Sequence, residues 1–294
     1  MQLLVDEARA EFGHLDVLVS TDGDSDRPLI LGVNAQTGRG RFFGGDLVGM
    51  ITAMSLGPDA VVVPISCNDA IDDSGLSNVL QDKTRIGSPY VIEGMLKAQK
   101  AGKHHICGFE ANGGFLLQTD FVRGSHKIGA LPTRDAVLPI VLVLAEASSR
   151  GVPVEALFDA LPARYSKASL VKDFPRELSS EIIASFTPDC LDSRRLNLDA
   201  ANRTKLGATL SRVERYFPTS DFGALMWLDY TDGLRMGFEQ GDVIHLRPSG
   251  NADEFRVYAV SNSQSRANFI ADSVSANDGI FSKMRKDKVP TQFS

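Results

Sequence analysis

The sequence has few cysteines, no long apolar run and no strongly basic stretch, and each shortage removes a class of function. Its three cysteines, Cys67, Cys107 and Cys190, are odd in number and far apart. They form no C-x-x-C pair, which excludes a zinc ribbon or a disulfide framework and leaves reduced, mostly buried thiols. No apolar run reaches the roughly 18–20 residues that a membrane helix needs. The first sixteen residues, MQLLVDEARAEFGHLD, carry acids early and lack a small-residue cleavage site, so they read as a short amphipathic helix and not as a signal peptide. A cytoplasmic protein without a membrane partner is expected. With 31 Lys and Arg against 37 Asp and Glu, the net charge is −6. No segment is basic enough to neutralise a run of phosphates, so nucleic acid is not expected as a partner. A small anion remains possible, because local arginines bind one whatever the net charge.

What is present is ordinary for a globular protein: 294 residues, 43% hydrophobic and 23% charged, enough for two domains or two and a remnant. Leu3, Leu4, Ala8 and Phe12 fit one helical face that Gly13 ends. LDVLVS (15–20) reads as a buried strand and PLILGV (28–33) as a second. A helix from Gly45 and Asp46 leads to the strand AVVVPIS (60–66). A helix over 89–101 precedes a strand at 104–110, and ANGGFLL turns into another. Residues 133–148 read as a long, largely buried helix with Thr133 as its N-cap. Strands alternating with helices imply an α/β domain. The stretch 150–200 reads as a connector with short helices. A helix over 198–215, a hairpin turning at Thr231-Asp232-Gly233, strands at VIHLRPSG and EFRVYAVS and a last helix at SQSRANFIADSVSAN make a smaller α+β domain. The tail from Phe281 onward is expected to be frayed or irregularly packed.

Three loops carry chemistry. In Asp22-Gly23-Asp24-Ser25-Asp26-Arg27, three carboxylates repel each other within five residues, and a hard divalent cation relieves that repulsion. An EF-hand also begins D-x-D-x-D, but Arg27 stands where its glycine belongs and Val33 where its glutamate belongs. The bland alternative is a solvated acidic turn. In Gly108-Phe109-Glu110-Ala111-Asn112-Gly113-Gly114, a carboxylate and an amide precede a glycine pair that lets the backbone turn sharply. Glu110 and Asn112 together accept from and donate to adjacent sugar hydroxyls, and a polar hairpin turn is the plainer reading. In Arg247-Pro248-Ser249-Gly250-Asn251, a cation, a hydroxyl and free backbone N–H groups suit a phosphate, with Arg256 adding charge from the next strand; a plain turn is again the alternative. Taken together the loops point to a phosphorylated polyol and a divalent cation.

These loops resemble the α-D-phosphohexomutase superfamily of phosphomannomutases and phosphoglucomutases. TDGDSDR is similar to its metal loop, GFEANGGF to its G-E-x-S-G-H sugar loop, RPSGNADEFRVY to its phosphate loop and KTRIGSPY to the stretch before the sugar loop, in the family's order. The resemblance implies that Asp22, Asp24 and Asp26 ligate one Mg²⁺ and that Arg27 lies against the reacting phosphoryl group. It further implies that Glu110 and Asn112 hold sugar hydroxyls and that Arg247, Ser249, Gly250 and Asn251 clamp the phosphate that does not react. The implied fold is an α/β sandwich domain of the phosphohexomutase type followed by a smaller α+β C-terminal domain. Residues 1–36 would be the remnant of domain 2, 37–150 domain 3, 151–174 a linker and 175–294 domain 4. Two positions depart from the family. Arg85 stands where members often carry an acid/base lysine, and an arginine stabilises charge without shuttling a proton, so Lys83 is the candidate substitute. The family's histidines are replaced by Ser88 and Gly114.

The implied reaction interconverts hexose 1- and 6-phosphates, mannose or glucose, through a hexose 1,6-bisphosphate and a phosphoserine. No T-A-S-H-N-P-like loop occurs in the 294 residues, and no histidine is followed by Asn-Pro. The chain is therefore expected to be inactive alone, as a fragment or as one half of a split mutase working with a separate serine-bearing domain. A non-catalytic sugar-phosphate-binding module is the other reading. A sheet without its first strands would leave Val17, Val19, Leu29 and Leu31 poorly sheltered and invite self-association through an exposed edge.

Overall fold

A computed structural model describes residues 1–188 and 193–288, so Cys190 lies outside the described residues. The chain folds into two compact units, 1–163 and 164–294. Among the described residues no helix is long and apolar enough to cross a membrane.

The first unit runs α1 (Gln2–Phe12), β1 (Val17–Thr21), β2 (Pro28–Val33), β3 (Gly40–Phe42), α2 (Gly45–Leu56), β4 (Ala60–Val62), a 3₁₀ turn (Asp69–Asp73) and α3 (Ser88–Lys100). It continues with β5 (Ile106–Phe109), β6 (Phe115–Leu117), β7 (Phe121–Arg123), β8 (His126–Ile128), β9 (Leu131–Asp135), α4 (Val137–Arg150) and α5 (Val154–Asp159). Its main sheet has the order β4-β5-β6-β9, with β4 and β5 parallel. Alternation along the strands builds two faces. Val61, Cys107, Phe109, Phe115 and Leu117 join the core made with α2, α4 and α5, while Val62, Ile106 and Leu116 meet Val91 and Met95 of α3. Helices thus cover both faces of the sheet. Residues 80–84 run beside β4 in the parallel sense. Residues 64–68, 85–87 and 110–114 therefore emerge at the same end of the sheet, the carboxyl end where open α/β sheets bind ligands.

A separate sheet, β1-β2-β3, is antiparallel. Ile30 and Phe43 join it to the main core, and Phe43 stacks on Phe158 of α5 at 3.7 Å between ring centres. Val5 of α1 covers Leu31 and Val33 on the other side. The helix expected at the start forms and ends at Gly13, but the strand expected to be buried at 15–20 is not. Leu3, Leu4 and Phe12 are exposed, and Val5 is the one buried residue of α1. β1 is half-exposed along its length, because among the described residues it pairs on one side only. Thr133 is not a helix cap: β9 runs on to Asp135 against β6, and Asp135 accepts the Val137 N–H at the start of α4.

The second unit comprises β10 (Tyr165–Lys172), α6 (Arg176–Phe186), β11 (Arg195–Asn197), α7 (Ala200–Lys205), α8 (Gly207–Tyr216), α9 (Thr219–Phe222), β12 (Leu225–Asp229) and β13 (Leu234–Phe238). β14 (Val243–Pro248), β15 (Glu254–Ser261), α10 (Gln264–Ser275) and α11 (Ile280–Lys288) complete it. Six antiparallel strands lie in the order β10-β15-β14-β13-β12-β11. Their inward residues, among them Leu228, Met236, Ile244, Leu246 and Val257, form one core with α6, α8, α10 and α11. The expected connector 151–174 divides between the units: α5 packs into the first core and β10 pairs along its whole length with β15. The part of the expected tail that lies among the described residues is helical as far as Lys288. α11 buries Ile280, Phe281 and Met284, with Phe281 stacked 4.0 Å from Phe255.

Candidate functional site

The acidic loop folds around its own first carboxylate. Asp22 Oδ1 accepts the backbone N–H groups of Asp26 at 3.2 Å and Arg27 at 3.1 Å, and Ser25 takes a left-handed conformation at φ 61° to close the turn. Burial works to raise the Asp22 carboxyl, but those N–H groups and the charge of Arg27 overcome it and hold it below the ordinary carboxylate range. One oxygen from each of Asp22, Asp24 and Asp26 lies within 4.8 Å of the others. Arg27 is the cation they share: its Nε pairs with Asp22 and lies 3.2 Å from Asp26 Oδ1, and its Nη2 lies 3.7 Å from Asp24. Three convergent hard oxygens are a donor set that suits a divalent ion, and Arg27 lies among the same carboxylates.

The sugar-type loop is held beside the acidic one by close backbone contact. A Cβ on Gly45, at the start of α2, would lie 2.2 Å from the Gly113 nitrogen, and one on Gly113, whose φ is +97°, would lie 3.1 Å from Pro28 Cδ. Only glycines allow α2, residues 112–114 and the exit of the acidic loop to meet. Glu110 is 4% exposed, and Asn112 is exposed with its Oδ1 accepting the Gly114 N–H at 3.1 Å.

The two loops share one cation that the sequence reading missed. Arg134, on β9, donates from Nε to Glu110 Oε2 at 2.6 Å and from Nη1 to Asp26 Oδ2 at 3.0 Å. Beneath them Asp46 of α2 is buried and accepts the N–H groups of Asn68 and Leu47, each at 2.9 Å. Burial pushes Asp46 up to about 6 against those bonds. Lys83 is engaged elsewhere, 2.6 Å from Asp72 and 3.4 Å from Asp69, and the Arg85 guanidinium lies over the Tyr90 ring.

In the second unit, Arg247 and Arg256 face each other across β14 and β15. Like charges opposite one another need counter-charges, and each has one. Arg247 Nε forms an ion pair with Asp232 at 3.0 Å, and Arg256 Nη2 bonds Glu254 at 2.7 Å. Asp232 lies in the β12–β13 turn, where a Cβ on Gly233 (φ +83°) would meet the Leu246 carbonyl oxygen at 2.3 Å. His245, 1% exposed, donates from Nε2 to the Asp232 carbonyl, and burial drives it down to about 4. Ser249 is buried and its N–H donates to Glu254 O at 3.0 Å, whereas the N–H groups of Gly250 and Asn251 have no acceptor among the described residues. A cation beside free N–H groups is an arrangement that receives an anion.

Residues 45–165 match a model of the phosphoglucomutase/phosphomannomutase α/β/α domain III. A phosphomannomutase of Salmonella muenchen is 36% identical over 263 residues, 90% of this chain and 49% of that protein. Among solved structures, a phosphoglucomutase/phosphomannomutase family protein of Burkholderia thailandensis aligns over 98% of this chain and 50% of its own, with TM-score 0.58 and 16% identity. The N-acetylphosphoglucosamine mutase of Aspergillus fumigatus, solved with GlcNAc-6P and magnesium, aligns over 92% of this chain and 55% of its own, with TM-score 0.56 and 17% identity. At such identities the structures show the fold alone. The chain spans about half the length of the relatives it matches.

Proposed function

The chain belongs to the phosphoglucomutase/phosphomannomutase family, and from that premise we propose that it supplies the metal-, sugar- and phosphate-binding parts of a phosphohexomutase. The reaction is the interconversion of hexose 1-phosphate and hexose 6-phosphate, with mannose or glucose as the sugar, through a hexose 1,6-bisphosphate. The observation that carries this reading is the acidic loop joined to the sugar loop: Asp22, Asp24 and Asp26 converge, and Asp26 is tied through Arg134 to Glu110.

Asp22, Asp24 and Asp26 would hold one Mg²⁺, which when bound neutralises charge on the phosphoryl group in transfer. Arg27, already oriented by the same carboxylates, provides a second positive charge on that group. Glu110 accepts from one sugar hydroxyl and Asn112 bonds its neighbour, which orients the ring without choosing which phosphate reacts. Within the second unit, Arg247, Ser249 and the N–H groups of Gly250 and Asn251 would receive an ester phosphate, the one that does not react. A serine-bearing segment supplied by a partner domain completes the cycle, so the 294 residues alone bind and do not turn over.

Calorimetry with mannose 1-phosphate and Mg²⁺, beside a coupled mutase assay primed with hexose 1,6-bisphosphate, tests the proposal. Saturable binding without turnover is expected from the chain alone, and turnover when a serine-bearing domain is added. Failure to bind mannose or glucose phosphates refutes the reading. Binding that never becomes turnover with any added domain favours the non-catalytic sugar-phosphate-binding module instead.

A further inference from the structure

Gly114 leaves a hole that Arg134 fills. A Cβ at position 114 would lie 2.8 Å from both Cγ and Cδ of Arg134, so the arginine stem runs through the space any side chain there would occupy. The cation that takes this space comes in from β9. That cation has a fixed charge, since a guanidinium keeps its proton throughout the working pH range. It spends one nitrogen on each of two loops, and Nη2 carries no hydrogen bond among the described residues. Glu110, 4% exposed, has Arg134 as its ion-pair partner, while Asp26 is shared with Arg27.

We propose that Arg134 is a positioning residue that couples occupancy of the sugar loop to cation affinity at the acidic loop. The inference rests on the reading of residues 22–26 as a divalent-cation loop. One guanidinium divided between two carboxylates is a competition. A sugar hydroxyl that draws on Glu110 loosens its hold on Arg134, which then leans on Asp26 and opposes the cation. A cation that takes Asp26 returns Arg134 to Glu110. The effect is reciprocal, as any coupling between two binding equilibria must be.

Free Mn²⁺ counted by electron paramagnetic resonance tests this on the full chain without any activity assay. The proteins are wild type, Glu110→Gln, Arg134→Gln and the double variant, with thermal melting as the folding control. Arg134→Gln is expected to bind Mn²⁺ more tightly than wild type, because a competing charge is gone. Glu110→Gln is expected to weaken Mn²⁺ by at least about fivefold, the lower end of coupling between linked sites. With Arg134 already replaced, Glu110→Gln should leave the affinity within about twofold, since the two changes no longer communicate. Equal effects of Glu110→Gln in both backgrounds overturn the coupling. If wild type takes up no Mn²⁺ the cation reading itself falls, and the coupling with it, whereas Mn²⁺ uptake without coupling defeats this inference alone. Should Arg134→Gln melt early, Arg134→Lys replaces it in the cycle. Lysine reaches one carboxylate at a time, so it too should shrink the Glu110→Gln effect.

Discussion

At the scale of single residues, the site depends as much on missing side chains as on present ones. Gly45→Ala would push a methyl group into the Gly113 nitrogen, 2.2 Å away, and into backbone that cannot step aside. Overpacking of this kind costs about 1–3 kcal/mol, so Gly45→Ala should lower the urea midpoint and loosen the 108–114 loop. Gly23→Ala is the control: nothing lies within 4 Å of its Cβ, and the change should stay within about 0.5 kcal/mol. His245 gives a pH prediction. Its folded value of about 4 lies below its ordinary 6.5, so as pH falls from 6.5 to 4 the unfolded chain takes up a proton that the folded chain refuses. Stability is therefore full above pH 6.5 and declines toward pH 4, by on the order of 3 kcal/mol. Trp227, the only tryptophan, reports unfolding of the same sheet, and an unchanged urea midpoint between pH 7 and 4.5 would contradict the prediction. The acidic loop was legible in sequence because its acids are adjacent. Arg134 was not, because its partners stand 24 and 108 positions away, and only the sheet register brings them together.

At the scale of elements, periodicity located most strands and helices but not what each would meet. The TDG turn and the strands around it were readable, since hairpin chemistry is local. The start of α4 was misplaced because Thr133 is a good cap by type, yet pairing of β9 with β6 holds it in a strand. α11 was missed for the opposite reason: its apolar residues are few and lie among Lys283, Arg285, Lys286 and Lys288, so the segment reads as a solvated tail. Packing decides otherwise. Phe281 is fully buried against Phe255 and near Phe174. Phe281→Ala should cost about 3–5 kcal/mol, the usual loss for a buried ring, read as an earlier Trp227 transition. A loss under about 1 kcal/mol would mean that α11 is dispensable.

At the scale of the whole molecule, the balance between a net charge of −6 and an apolar face only partly covered by α1 decides how the chain behaves in solution. Of the four strand residues expected to be poorly sheltered, Val19 and Leu29 are exposed and Val17 is half-buried, but Leu31 is covered by Val5. Phe42 is exposed as well, and the register places it on the same face as Leu29 and Leu31. β1 pairs only with β2 among the described residues, so its outer edge carries unpaired N–H and C=O groups beside apolar side chains. That combination is a template for association. Light scattering should therefore give a mass that rises with protein concentration. It should rise further with added salt, because screening removes the repulsion between like-charged copies while leaving apolar attraction intact. Leu29→Lys with Phe42→Ser should return the monomer and abolish binding of an apolar dye. A wild-type chain that stays monomeric at high concentration and high salt would mean that this face is too small, or too well guarded by α1, to hold a second molecule.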